Sequence, residues 1–382
     1  MVYFDYSATT PVHPDVAGSI YEVLTKYYGN PSSLHKLGVE AEKLVTRSRE
    51  QMAALLQVPA STIIFTSGGT ESNNMAIRGV AGMWRSRGRH IITTAVEHAS
   101  VYDTCQRLAA YGFEVTVLPV DRFGRVDPKR VAEAVREDTI LVSIMMVNNE
   151  VGTIQPIEQI AAELKRYPKV IFHVDAVQAA GKIPLYPGKL GVDLMSLSAH
   201  KFRGPKGIGL LYKREGLKID PIITGGGQES GLRSGTENVP YIVGMAKAFR
   251  LAVQEQPAAY RRVSELRRAL LEQIADIPGI ELNSPRDEEK AVPHIVNISC
   301  AGMKSEVIVH ALEQRGYYIS SRSACSSQEH KPSRILLAMG LAEERASSGL
   351  RISLAQDHTP EQIEGLAKAL RETVGELKQV MR

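Results

Sequence analysis

The chain has 382 residues, 43% hydrophobic and 23% charged, a composition suited to a globular protein too long for a single core. Its 46 basic and 42 acidic residues leave a net charge of +4, too small to argue direct nucleic-acid binding. No apolar run approaches the roughly 20 residues of a membrane-spanning helix, and the opening MVYFDYSATT has neither the charged nor the apolar region of a secretory signal.

Tyr3 to Thr10 reads as a short strand and turn, and Pro11 and Pro14 lead into a helix running to about Tyr28. Gly29-Asn30-Pro31-Ser32-Ser33 is a break. The spacing of Ala41, Leu44, Met52, Leu55 and Leu56 then predicts a long amphipathic helix. Strands are expected at 63–65, 91–93, 115–118, 140–146 and 170–174, with helices at 100–110, 128–135 and 156–167 between them. The densest basic patch, Arg85-Ser86-Arg87-Gly88-Arg89-His90, reads either as a solvated helix end or as a contact for RNA or an acidic partner. The alternation argues an α/β class, a mostly parallel sheet covered by helices on both faces. Past about Arg250, long helices at 260–274 and 360–380 flank short strands at 294–299 and 317–320, the texture of a smaller α+β domain. The expected division is a large domain over 15–250, with 1–14 and 251–382 forming the smaller one.

Polar groups gather where strands end. Phe172-His173-Val174 closes a buried strand at Asp175, and Val192 to Leu197 forms another that delivers Ser198, His200 and Lys201. In α/β folds ligands collect at the carboxyl ends of strands, so Asp175 and Lys201 can face one pocket. The pair has two readings: an ion pair at a sheet edge, or a lysine Schiff base with an aromatic cofactor whose ring nitrogen meets the acid. Ser67-Gly68-Gly69-Thr70, between a strand and a helix, is either a tight turn or an anion cradle. His98 at the next junction caps a helix or stacks on a ring, Asn149 follows the 140–146 strand, and Gln178 lies close after Asp175. Their convergence favours a phosphate-bearing aromatic cofactor.

From end to end the sequence resembles the cysteine desulfurases that build iron–sulfur clusters and supply sulfur for tRNA thiolation. The resemblance is carried by FDYSATTP, GNPSS, TSGGTESNN, EHAS, VNNEVG, HVDAVQ, SAHK with GPKG, GLRSGTEN, SSRSAC and LRISL. It implies a pyridoxal 5′-phosphate enzyme of aminotransferase-like fold, with the large domain binding the cofactor. Lys201 would carry the cofactor and shuttle protons, Asp175 would hold the ring nitrogen, Gln178 the ring hydroxyl, and His98 would stack on the ring. Gly69, Thr70, Ser198 and His200 would hold the phosphate, and Thr236 would reach it from a neighbouring subunit, which implies a homodimer. Asn149, Arg351 and Asn30 would serve the substrate, L-cysteine, with Arg351 forking onto its carboxylate.

Cys325 stands in a polar stretch, Ser320 to Ser327, in the segment 320–332 of the smaller domain, where an exposed thiolate suits attack on a substrate sulfur. The resemblance makes it the persulfide carrier, with Arg322, Lys331 and Arg334 favouring the thiolate. Cys105, with Val101 and Leu108, and Cys300, with Val296 and Ile298, read instead as core residues. An odd number of cysteines without CxxC spacing speaks against a disulfide framework or zinc site and points to a reducing cytoplasm. Arg322 and Gln328-Glu329-His330-Lys331 depart from the pattern, which bears on the sulfur acceptor: a cluster scaffold, or a partner in thiamine synthesis or tRNA thiolation. The rival readings are a selenocysteine lyase or C–S lyase on the same fold, and a non-catalytic sulfur-relay scaffold.

Overall fold

The computed structural model describes residues 1–321 and 332–380. The first part comprises β1 (Val2–Tyr3), α1 (Pro14–Lys26), α2 (Lys36–Leu56), β2 (Ile63–Thr66), α3 (Gly69–Trp84), β3 (His90–Thr94), α4 (Ala99–Ala109) and β4 (Glu114–Leu118). It continues with α5 (Pro128–Glu133), β5 (Thr139–Met145), α6 (Ile157–Leu164), β6 (Ile171–Asp175), α7 (Pro187–Leu190), β7 (Leu194–Ser198) and β8 (Gly209–Lys213). After α8 (Val239–Ile274) come β9 (Ile280–Leu282), β10 (Ile295–Cys300), α9 (Ser305–Gln314), β11 (Tyr317–Tyr318), α10 (Arg334–Ala338), α11 (Glu343–Ser347), β12 (Gly349–Ser353) and α12 (Pro360–Val380).

Among the described residues the main sheet has seven strands in the order β2-β8-β7-β6-β5-β3-β4. Side chains alternate across it: Phe172, Val174, Met195 and Leu197 enter one core, Ile171, Leu194 and Leu211 the other. The pairs β3–β4, β3–β5, β5–β6 and β6–β7 are parallel, whereas β8 runs antiparallel to both neighbours, β2 and β7. That reversal leaves β2 pointing the same way as β7. The carboxyl ends of β2, β3, β5, β6 and β7 therefore open on one edge of the sheet, and the predicted α/β class holds.

A further core joins β10, β12, α9 and α12 to the second half of α8, and Phe4 from the start of the chain enters it. The antiparallel order β12-β10-β9 and the parallel pair β1–β11 frame this part. Cys105 is buried with Val101 and Leu108, and Cys300 with Val296 and Ile298, as their spacing predicts.

The largest departure is α8. A helix was expected from Tyr260, yet it begins at Val239 and passes through Pro257 without ending. Proline costs a helix interior about 3 kcal/mol. Here Ile242, Met245 and Phe249 pack into the main core and Leu266, Leu270 and Ile274 into the further one, anchoring the helix on both sides. The change of texture near Arg250 thus falls inside one helix. Among the described residues no helix is long and apolar enough to cross a membrane.

Candidate active site

A cleft of about 700 Å³ opens at the carboxyl edge of the main sheet. It gathers Gly69, Thr70, His98, Asn149, Asp175, Gln178, Ser198, His200, Lys201 and Arg351 from distant parts of the chain. Ser7 and Ala8, from the segment after β1, close one side.

At its floor, Asp175 ends β6 and is 5% exposed. One carboxylate oxygen accepts from Asn73 Nδ2 at 2.8 Å and the other from the Val177 amide at 3.0 Å. Asn73 Nδ2 also donates to Ser100 Oγ at 2.9 Å, and Ser100 Oγ lies 2.8 Å from His98 Nδ1. His98 both caps α4, accepting from the Ser100 amide, and lines the cleft. The two sequence readings of this histidine are therefore compatible. One hydrogen-bonded line runs from His98 through Ser100 and Asn73 to Asp175, fixing the acid relative to the imidazole.

Lys201 donates from Nζ to the carbonyl oxygens of Ser7, at 2.6 Å, and Ala8, at 3.0 Å. Gln178 Nε2 donates to the same Ser7 oxygen at 3.0 Å. The segment after β1 thereby orients both predicted side chains.

At the other end, α3 begins at Gly69, so the amides of its first turn have no partner inside the helix. A Cβ on Gly69 would stand 2.7 Å from Val177 Cγ2 and 3.4 Å from Ser198 Cβ, so only glycine keeps this corner open. His200 Nδ1 lies 3.2 Å from Thr9 Oγ1. Burial, reinforced by Lys201 and Lys206, holds its imidazole down to about 4, leaving it neutral near pH 7.

Arg351, on β12, is held on two sides: Nη1 donates to the Asn149 carbonyl at 2.9 Å and Nη2 to Asp5 Oδ1 at 2.8 Å. Burial raises the Asp5 carboxyl above its ordinary range, against the pull of Arg351 and Lys201. Beneath His98, the fully buried Glu97 carboxyl is pushed up to about 8 by burial, while accepting from Thr94 Oγ1 and the Met145 amide.

Thr236 and Asn30 are not among the residues lining the cleft: Thr236 is exposed, and Asn30 is an exposed turn residue whose Oδ1 accepts from the Ser32 amide. Cys325, Arg322 and Lys331 lie outside the described residues. Arg334 turns to the carbonyls of Ala95 and Glu97 and stacks over Tyr102 at 4.1 Å, so its charge is engaged beside the His98 junction. Sequence reasoning missed Asn73, Ser100 and Asp5. Asn73 sits one helical turn beyond Gly69, a spacing that marks it for the same face.

Comparison with known proteins agrees with this architecture. The model of the aminotransferase class-V family matches residues 2–366. A "NifS/IcsS protein homolog" of Lactobacillus delbrueckii subsp. bulgaricus is 47% identical over 97% of this chain and 97% of its own. A "Cysteine desulfurase IscS" of Dictyoglomus turgidum is 44% identical over 99% of this chain and 96% of its own. A solved "NIFS-LIKE PROTEIN" superposes with a TM-score of 0.91 at 40% identity, covering 97% of this chain and 98% of that one. With the strand-end cleft, its acid and its lysine already in place, the chain belongs to the aminotransferase class-V family.

Proposed function

We propose that this protein is a cysteine desulfurase that converts L-cysteine to L-alanine and leaves the sulfur as a persulfide on Cys325. The observation that carries the reading is the single cleft in which Asp175, Lys201 and Arg351 converge. The residues fit pyridoxal 5′-phosphate, the cofactor of the family. Asn73 Oδ1, Asn149 Oδ1 and Ser7 Oγ are buried there without partners, and the corner at Gly69 is open to an anion. When bound, the cofactor supplies an electron sink for the amino acid's α-carbon.

The chain's own groups do the rest. Asp175, fixed by Asn73 and the Val177 amide, holds the ring nitrogen, and Gln178 meets the ring hydroxyl. Gly69, Thr70, Ser198 and neutral His200 hold the phosphate. Lys201 would carry the cofactor and move the α-proton, and His98, lining the same cleft, would lie against the cofactor and assist proton transfer. Arg351 and Asn149, both lining the cleft, orient the substrate. The Cys325 thiolate forms a bond to the substrate sulfur as the carbon–sulfur bond breaks, and a proton completes alanine. In sum, L-cysteine and one thiol give L-alanine and one persulfide.

The persulfide sulfur then passes to a protein acceptor, a cluster scaffold or a thiolation enzyme, in a reducing cytoplasm. A homodimer places Thr236 of one subunit at the cofactor phosphate of the other. Supporting it, Tyr21, Leu24, Tyr28 and Leu34 leave large apolar side chains bare on α1 and its connection to α2. Two separate cores that meet along α8 support the division into a large domain over 15–250 and a smaller one of 1–14 and 251–382.

The test is Cys325→Ser in the cofactor-loaded protein. Alanine formation from L-cysteine should vanish while the cofactor absorbance persists; unchanged turnover would sink the persulfide route and favour a simple lyase. Labelled sulfur loaded from cysteine onto the wild type should then appear on one acceptor protein.

A further inference from the structure

A second cleft, of about 750 Å³, lies behind the segment that positions Lys201. Residues 6–13 form the wall between the two. Ser7 and Ala8 face the active-site cleft, whereas Tyr6, Thr10 and His13 line the second one. Phe202 and Arg203, which follow Lys201 directly, line it as well. Its other walls come from the middle of α8 and from residues 293–294 and 354–357.

The polar groups here are unevenly satisfied. Asp357 pairs with Arg203 at 3.2 Å, and Glu255 accepts from Gln356 Nε2 at 2.8 Å. Lys182 Nζ, by contrast, makes no hydrogen bond or close ion pair among the described residues. His294 is 5% exposed and its Nε2 is buried without a partner. Both acids thus accept a hydrogen bond, whereas the nitrogens of Lys182 and His294 are left to meet an acceptor. Burial, with Arg203 nearby, pushes the Lys182 ammonium down to about 8 against the pull of Asp357 and Glu255, and burial beside Lys182 keeps His294 neutral. Asp357 and Glu255 act on Lys182 from across the cleft, but neither reaches Nζ, so a carboxylate placed directly on it would add a charge-assisted hydrogen bond. Next to these nitrogens the wall is hydrocarbon: Leu251, Ala252 and Val263 of α8.

We propose that this cleft is a second small-molecule site, taking a short-chain monocarboxylate whose carboxylate meets Lys182 Nζ and the His294 imidazole and whose tail lies on Leu251, Ala252 and Val263. An inorganic anion could use the nitrogens but would leave the apolar wall bare, so tail length separates the two. Because residues 6–13 border both clefts, and Phe202 and Arg203 follow Lys201 directly, an occupant bears on the segment that holds Lys201. The inference does not depend on which reaction the active site performs.

Butyrate binding to the cofactor-loaded protein, read by saturation-transfer NMR, tests it. Butyrate should bind, with acetate about tenfold weaker for want of two buried methylenes. Binding should be lost in Lys182→Met, and equally in Leu251→Trp, which fills the cleft without changing a charge. Circular dichroism of both variants checks that they are folded. No binding by the wild type, equal affinity for acetate and butyrate, or binding that survives either substitution would overturn the proposal.

Discussion

Arg351 Nη2 lies 2.8 Å from Asp5 Oδ1, so the guanidinium proposed to receive the substrate carboxylate already carries one from the chain itself. The Arg351 side chain is only 1% exposed and that of Asp5 18%, so water screens their attraction weakly. A substrate carboxylate arriving at this arginine meets a charge already partly countered. Asp5→Asn keeps a hydrogen-bond acceptor and removes the charge. The KM for L-cysteine should fall about fivefold, the equivalent of about 1 kcal/mol, in steady-state assays of alanine. A rise in KM would instead show that the charge of Asp5 is needed to present the guanidinium.

Asn73 is the hinge of the line joining His98 to Asp175. A hydrogen bond to a charged group contributes about 1.5–3 kcal/mol. Asn73→Ala should therefore weaken pyridoxal-phosphate binding by at least about tenfold, read by titration of the cofactor absorbance. Unchanged affinity would mean that the Val177 amide alone holds the acid.

The open corner at Gly69 has a simple steric test. Alanine there brings Cβ to 2.7 Å from Val177 Cγ2, inside any normal contact, so Val177 must move into the cleft or the first turn of α3 must shift. Gly69→Ala should lower cofactor affinity by at least about tenfold, since both the phosphate and ring regions are disturbed. Equilibrium dialysis against pyridoxal phosphate checks this.

Glu97 gives a pH dependence whose sign is fixed by burial. Its folded-state value of about 8 lies above the ordinary 4.5, so the fold favours the protonated acid. That stability is fully present below pH 4.5 and is lost as pH rises toward and through 8. Glu97→Gln mimics the protonated form. Its melting temperature should gain on the wild type as pH rises from 5 to 8, by a few degrees in order of magnitude. Parallel curves over that interval would show the carboxyl already ionised.

The sequence made Asp175, Lys201 and His98 legible because each sits where an apolar run stops, a place that chain order alone exposes. Asp5 was not legible in the same way. Its partner Arg351 is 346 positions away, and only the closing of β12 against the start of the chain brings them together. Asn73 and Ser100 hid for another reason: an ordinary polar residue near the start of a helix can face solvent as well as bond within the fold. Strand β8 has no polar signal to announce its reversed direction, and the texture change near Arg250 falls inside a helix that packing on both sides carries through Pro257.

Val2 and Tyr3 pair with Tyr317 and Tyr318, and the residues just after them supply the carbonyls that hold Lys201. The segment before α1 thus has its place to lie only once the segment after α9 is present. A nascent chain can build the main sheet and still lack the arrangement around its lysine. The placement of Lys201 thus depends on a pairing more than a hundred positions beyond it, although most of the residues lining its cleft come from the other half of the chain.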